Sequence, residues 1–397
     1  MKIYYILSAF SFAALFLFLS CSDEPSSLGI ELIGSDYITV EVYDSINDTL
    51  TQSSSFNRRV IPLGTSDWIL IGKYQDQDQN IEASSLLKFI FGLADSLKND
   101  VKEDSINVLD SWVELRNRYT FVDILATMNF SVHKVNSYWS PTGFTIDSLF
   151  KLQYEMDDVS SDFEITDSTY TFHIDEALPL AWIKNASDNT LESNYGIYLD
   201  PTSTSNKVIG FQALTPLSSE AARLTVVIEK PGFYTDTING FIAADISLVD
   251  GSVPVLSSGL ISVQSSVSIY SKLFFDIGVL PPGLVINKAE LIITSDSVNS
   301  IKGTSSNNTL RAFYLTSSDT LTTEGSAISF TLSNNQFTGN LTGFLRTWIS
   351  RDENFGILIE AGNPTLGLNL FALKGSDYFE IKERPRLRVT YTQQKAK

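Results

Sequence analysis

Asn194-Tyr195-Gly196-Ile197-Tyr198-Leu199, in the first half of the chain, returns as Asn354-Phe355-Gly356-Ile357-Leu358-Ile359 in the second, displaced by 160 residues. The match extends outward in both directions. Upstream, Ser85-Leu86-Leu87-Lys88-Phe89 is answered by Ser271-Lys272-Leu273-Phe274-Phe275, and Trp112-Val113-Glu114-Leu115 by the stretch from Lys288 to Ile292. Ala181-Trp182-Ile183-Lys184 is answered by Arg346-Thr347-Trp348-Ile349, and downstream Ala222 to Ile228 by Pro385 to Tyr391. Five blocks in one order, with one chemistry, are the signature of an internal repeat. The displacement is 160 to 166 residues in the later blocks and 186 at the first, which fits an acidic insertion near Asp95 to Asp110 in copy one.

The blocks read as strands. Tyr37 to Tyr43, Leu224 to Ile228 and Leu387 to Tyr391 alternate apolar with polar residues, the period of a half-buried strand. Turn signals at Asn239-Gly240, Asp250-Gly251 and Pro281-Pro282-Gly283 separate such runs. The exception is Asp175 to Lys184, whose spacing of Leu178, Ala181 and Trp182 predicts a short helix. Trp182 and Trp348 are expected to plug the core beneath such helices, and Gly196 and Gly356 to relieve a turn or bulge before an apolar strand. The expected fold is therefore all-β: two tandem antiparallel β-sandwich or jelly-roll domains, over residues 36–230 and 241–397. The linker is placed at 231–240, where Pro231-Gly232 interrupts the strand pattern.

The first residues set an address. Lys2 precedes an apolar run from Ile3 to Leu19, which ends at Ser20 and Cys21, the only cysteine of 397 residues. This pattern is a secretory signal, and it resembles a bacterial lipoprotein signal over residues 1–20, with Phe18 where the lipobox usually has Leu. The resemblance implies lipidation of Cys21, a membrane held through a lipid anchor, and a tether over 21–35. A plain uncleaved anchor is the competing reading, since about 17 apolar residues is the lower limit of a span. Ser22-Asp23-Glu24 resembles the acidic signal by which Bacteroidota carry lipoproteins to the outer face of the outer membrane. The Asp-Ser/Thr-aliphatic triplets, among them Asp44-Ser45-Ile46, Asp147-Ser148-Leu149 and Asp319-Thr320-Leu321, resemble the O-glycosylation sequon of the same bacteria. They also read simply as strand starts after turns.

Composition excludes several classes. With Cys21 lipidated no thiol is left for a disulfide, a Cys-ligated metal or thiol catalysis. A formal net charge of −18, with no basic cluster longer than Arg58-Arg59, argues against a nucleic-acid partner.

The repeat blocks also resemble the DNRLRE family of β-jelly-roll modules, described as a carbohydrate-binding module type. Copy two carries the resemblance best, in Phe275-Asp276-Ile277, Leu280-Pro281-Pro282-Gly283, Ala289-Glu290-Leu291 and Pro385 to Tyr391. Copy one has Ile90 where the family has Asp, and lacks the Pro-Gly turn after it. The resemblance implies the jelly roll and an expectation of glycan binding.

Candidate chemistry is sparse. His133 and His173 are the only histidines, and no Ser/His/Asp arrangement or His-rich metal site can be assembled from them. The acidic residues give no specific carboxylate pair for glycoside hydrolysis, so no enzyme and no cofactor is expected. Asp76, Asp78 and Asn80 alternate oxygen ligands that could face one Ca²⁺, with a solvated acidic loop as the competing reading. Tyr138 and Trp139 could offer an aromatic platform to sugar rings, as could Tyr154, Trp68 and Trp112, provided they are exposed rather than core. Arg116 and Arg118 lie on one face of a strand and could meet an acidic polysaccharide. The expectation is a non-catalytic binding lipoprotein of the cell surface recognising glycan or matrix. The alternative is a structural component of an outer-membrane complex with a surface-protein partner.

Overall fold

The computed structural model describes residues 38–394, apart from 49, 123–124, 167, 216–219 and 305–306. The expected signal peptide 1–20, Cys21 and the tether 21–35 lie outside the described residues. Strands dominate. In chain order they are β1 (Ile38–Asp44), β2 (Gln52–Arg58), β3 (Trp68–Gln75), β4 (Asn80–Phe91), β5 (Asn107–Phe121), β6 (Phe130–Lys134), β7 (Ser160–Ile165), β8 (Thr169–Ile174), β9 (Ile197–Pro201), β10 (Val208–Gln212) and β11 (Arg223–Lys230). Then follow β12 (Tyr234–Gly251), β13 (Leu260–Gln264), β14 (Ile269–Phe275), β15 (Val285–Ile301), β16 (Thr309–Leu315), β17 (Thr323–Ser333), β18 (Gln336–Asn340), β19 (Ile357–Ala361), β20 (Leu370–Lys374) and β21 (Arg386–Gln394). Among the described residues three α-helices interrupt them, besides short 3-10 turns: α1 (Asp95–Lys102), inside the acidic insertion, α2 (Ala177–Ser187), where the spacing of Leu178 and Trp182 called for it, and α3 (Thr342–Arg351).

The strands form two antiparallel sheets, each folded round its own core, so the all-β sandwich expectation holds. Alternation explains the faces: in β14 every second residue from Ile269 to Phe275 is buried, and in β8 Tyr170, Phe172 and Ile174 point inward. The first core gathers Phe89, Val113, Phe172, Trp182 and Leu224; the second gathers Phe275, Leu291, Phe337, Trp348 and Val389. Trp182 and Trp348 lie on α2 and α3, each helix closing one sandwich. Gly196 and Gly356 both take positive φ, at 84° and 80°, immediately before β9 and β19. A Cβ there would collide with the carbonyl oxygens of Leu87 and Leu273, so at both positions glycine is needed for φ and for space.

The division of the chain differs from the one the sequence suggested. Pro231-Gly232 is a hairpin turn, not a linker: Phe233 N–H donates to the Lys230 carbonyl at 3.0 Å, Gly232 has φ 77°, and β12 runs back along β11. β12 then pairs with β4 past a bulge between Ile242 and Ala244, so 234–251 belong to the first sheet. Residues 38–58 belong to the second: β1 pairs with β21 and β2 with β14. A Pro-Gly pair marks a reversal of the chain, and a reversal within a sheet looks the same in sequence as one between domains.

The sandwiches meet through a third buried cluster. Leu70, Tyr119 and Val208 from the first pack with Val267, Ile269 and Leu368 from the second, and Trp68 stacks on Tyr119 with centroids 4.6 Å apart. The buried polar groups there are paired, as burial demands. Gln79 Nε2 donates to Gln264 Oε1 at 2.6 Å, and the Tyr119 hydroxyl accepts from Leu368 N at 2.9 Å.

Candidate functional site

The outer face of the first sheet carries the most distinctive surface. In β5, Val113 and Leu115 point into the core, which turns Asp110, Trp112, Glu114 and Arg116 outward. The register then lays one row of outward residues across four strands. His173 on β8 lies opposite Trp112, Trp112 opposite Thr225 on β11, and Thr225 opposite Asn239 on β12. The Trp112 indole is half-buried and leans on the His173 ring, centroids 6.1 Å apart and planes tilted by 38°. His173 Nδ1 meets Asp110 Oδ1 at 2.8 Å, which fixes the orientation of the imidazole.

Beside this row opens a cleft of about 610 Å³ to which Asp110 and His173 contribute, with Asp157, Ser161, Asp162 and Asp175 on its other walls. Its lining is rich in acceptors and holds no Lys or Arg. The half-buried Trp112 indole is thus flanked by the carboxylates and serine hydroxyls of the cleft, the Asn239 amide and the His173 imidazole, with Thr225 buried at 7 % exposure beneath the row. Such a combination can hold the apolar face of a sugar ring while hydrogen-bonding its hydroxyls. An anionic ligand would meet only like charge in the cleft.

The residues singled out from sequence fare unevenly. Trp139 is 6 % exposed, packs with Leu86, Val135 and Leu248, and donates its indole N–H to the Tyr195 carbonyl at 2.8 Å; it is core, not platform. Adjacent Tyr138 is 74 % exposed but has lost the partner ring that would make a surface. Arg116 is exposed on the same outer face as Trp112, two rows away, whereas Arg118 is engaged by Glu220 in an ion pair. Asp76, Asp78 and Asn80 do not converge. Asp76 accepts the amides of Asp78 and Gln79 at 2.8 and 2.7 Å and the Tyr74 hydroxyl, so its oxygens organise the β3–β4 turn. Burial disfavours its charge, but those donors outweigh it and hold the carboxyl below its ordinary range. Among the described residues no three or more His, Cys, Asp or Glu side chains gather in metal-binding geometry.

His133 is buried, with Nδ1 at 3.1 Å from the Asp157 carbonyl and Nε2 at 2.8 Å from Ser131 Oγ. A carbonyl can only accept, so Nδ1 donates to Asp157, and with Ser131 on the other nitrogen the ring is held from both sides: a structural histidine. The Trp112 row and the cleft were missed as a unit. The one sequence signal was that Trp112 falls on the polar phase of an otherwise alternating strand, between Ser111 and Val113, which turn inward. Comparison with known protein families, with curated proteins and with solved structures finds no match to this chain.

Proposed function

We propose that the chain is a lipid-anchored, non-catalytic binding protein of the outer membrane, turned outward from the cell, that holds neutral glycans on the outer face of its first sandwich. The observation that carries this reading is Trp112, an aromatic ring laid on an outer sheet face between His173 and Thr225 and bordered by a cleft of acceptors. The likeness to DNRLRE modules supports it at the level of fold class, and the lipobox-like stretch ending at Cys21 supports the address. The charge of the cleft favours neutral over acidic polysaccharides, and Arg118, already engaged by Glu220, is not free to recruit uronates. A second reading, docking in a surface complex, draws on Phe163 and Ile165. These are 43 % and 54 % exposed on the edge strand β7 and border an apolar hollow of about 270 Å³.

Affinity electrophoresis of the full chain through gels cast with neutral polysaccharides tests the first reading. Retardation is expected in at least one gel and is expected to vanish with Trp112→Ala while the circular dichroism spectrum is unchanged. Mobility unaffected in every gel, or retardation that survives Trp112→Ala, refutes the site. Release of reducing sugar by the chain would refute its non-catalytic character.

A further inference from the structure

The strands that complete the two sandwiches occupy the same structural place but come from opposite repeats. Three correspondences establish the equivalence. Val226 on β11 and Val389 on β21 hold one position in the closing strand, and their partners are Ile238 on β12 and Tyr43 on β1. Leu87 on β4 and Leu273 on β14 are equivalent in the repeat, and their partners are Asp245 on β12 and Ser54 on β2. Asp245 and Ser54 also perform one task. Asp245 Oδ2 accepts Leu214 N–H at 2.7 Å just after β10, and Ser54 Oγ accepts Ser376 N–H at 2.9 Å just after β20.

In sequence, however, 38–58 precedes β3 of the first repeat and 234–251 precedes β13 of the second. Each repeat has lent its leading strand to the other's sandwich, through crossing segments 59–67 and 252–259. The two lent strands meet where the crossings begin: the Arg58 guanidinium at the end of β2 reaches Asp250 Oδ1 at 2.9 Å and the Val249 carbonyl at 3.4 Å near the end of β12.

From this we infer that the groove between β14 and β21 of the second sandwich is a strand-acceptor site, and that a second copy of this chain can fill it with its own residues 38–58. The groove accepts a strand from outside its own repeat already, so its side-chain and ladder chemistry does not require a contiguous donor. The donor lies at the N-terminal end of the described chain and is joined to it only through 59–67. Its departure unthreads no other element among the described residues. All the strand partners of β1 and β2 lie in the second sandwich, so a strand from a second copy remakes the same hydrogen bonds. Exchange between copies then differs from exchange within one chain only in the path of 59–67 and in translational freedom, the circumstances that make swapping of an identical element inexpensive. The occupant is a second copy rather than an unrelated peptide because Ser54, Phe56 and Asp44 fit by register: Asp44 receives Arg386 and Ser54 receives Ser376.

The test is a disulfide trap in the full chain carrying Cys21→Ser, so that the introduced thiols are the only ones. Ser54 Oγ and Ser376 Oγ lie 3.0 Å apart, close enough for Ser54→Cys/Ser376→Cys to bridge. The control pair is Ser54→Cys/Leu214→Cys, which would bridge only if 38–58 closed its own repeat. Samples at a series of concentrations are held just below the melting temperature, cooled, oxidised and run on non-reducing gels. The expected result is a bridge in the first pair alone, with bridged dimer over bridged monomer rising up to tenfold for each tenfold rise in concentration. Bridged monomer alone at every concentration overturns the second-copy site. A bridge in the control pair, or none in the first pair, overturns the exchange itself.

Discussion

Asp245 offers the sharpest quantitative test of this architecture. It lies on β12 just past the bulge, is only 7 % exposed, and its carboxylate has the Leu214 amide as hydrogen-bond donor at 2.7 Å. Burial raises its pKa to about 6, against the partial compensation of that amide. The sign follows from linkage. A carboxyl whose pKa is higher in the folded state than the ordinary 3.8 binds its proton more tightly when folded. Its contribution to stability is complete below pH 3.8 and is lost as the pH rises through about 6. A shift of roughly two units corresponds to about 3 kcal/mol withheld from the folded chain at pH 7.5. Asn at this position keeps an acceptor for Leu214 N–H without the charge, and the other repeat already uses a neutral residue, Ser54, in the equivalent place. Asp245→Asn is therefore expected to stabilise the protein by up to about 3 kcal/mol at pH 7.5 and by close to nothing at pH 4. Urea unfolding followed by tryptophan fluorescence at both pH values, with unchanged m-values, gives the difference directly. A variant less stable than the parent at pH 7.5, or equally stabilised at pH 4, would show that Asp245 is not a buried charge.

Two further outcomes follow from backbone and interface. Gly196→Ala and Gly356→Ala each impose positive φ on a side chain and drive a Cβ onto a carbonyl oxygen, so each should cost about 3 kcal/mol or more in denaturant unfolding; a loss below about 1 kcal/mol would contradict the turn geometry. Tyr119→Phe keeps the stack on Trp68 but leaves Leu368 N–H unpaired and buried, with an expected cost of about 1–3 kcal/mol. Hydrogen exchange at Leu368 should accelerate in that variant, and unaltered protection there would refute the pairing.

What the sequence made legible was whatever depends on local pattern. Alternation told which residues of β11 and β21 face inward, the Leu178/Trp182 spacing found α2, and the Asn-aromatic-Gly blocks found the two constrained glycines. Partner choice was not legible, because a strand's period is the same whichever sheet accepts it. So 38–58 read as the opening strand of its own repeat and Pro231-Gly232 as a boundary. Trp139 shows the same limit for sites: nearby Val135 and Leu152 cover part of it, but Leu86 on β4, Tyr198 on β9 and Ile246 and Leu248 on β12 complete its burial. Burial of a lone aromatic is decided by contacts remote in sequence, which composition does not encode.

A subtler slip bears on function. Matching Glu114 with Glu290 aligns the repeats by identity, but the ladders disagree: Leu224 pairs with Val113, whereas its equivalent Leu387 pairs with Leu291. The bulges fall in the same place on this register, between Val227 and Ile228 and between Thr390 and Tyr391, opposite residues 108–110 and 286–288. Trp112 is thus the counterpart of Glu290, two residues from the match that identity suggests. A slip of two preserves every side chain's face, so alternation is blind to it. With the register corrected, the row His173–Trp112–Thr225–Asn239 of the first sandwich becomes Asn340–Glu290–Arg388–Asp44 in the second. There the charges answer one another: Glu290 meets Lys288 at 3.1 Å and Arg388 approaches Asp44 at 3.7 Å. The inner faces of the two repeats stayed alike because both must fill a sandwich, while the outer rows diverged. An aromatic ring stands in the outer row of the first sandwich alone, where the second has Glu290 paired with Lys288, and this asymmetry is why the proposed glycan surface is assigned to the first sandwich and not to both.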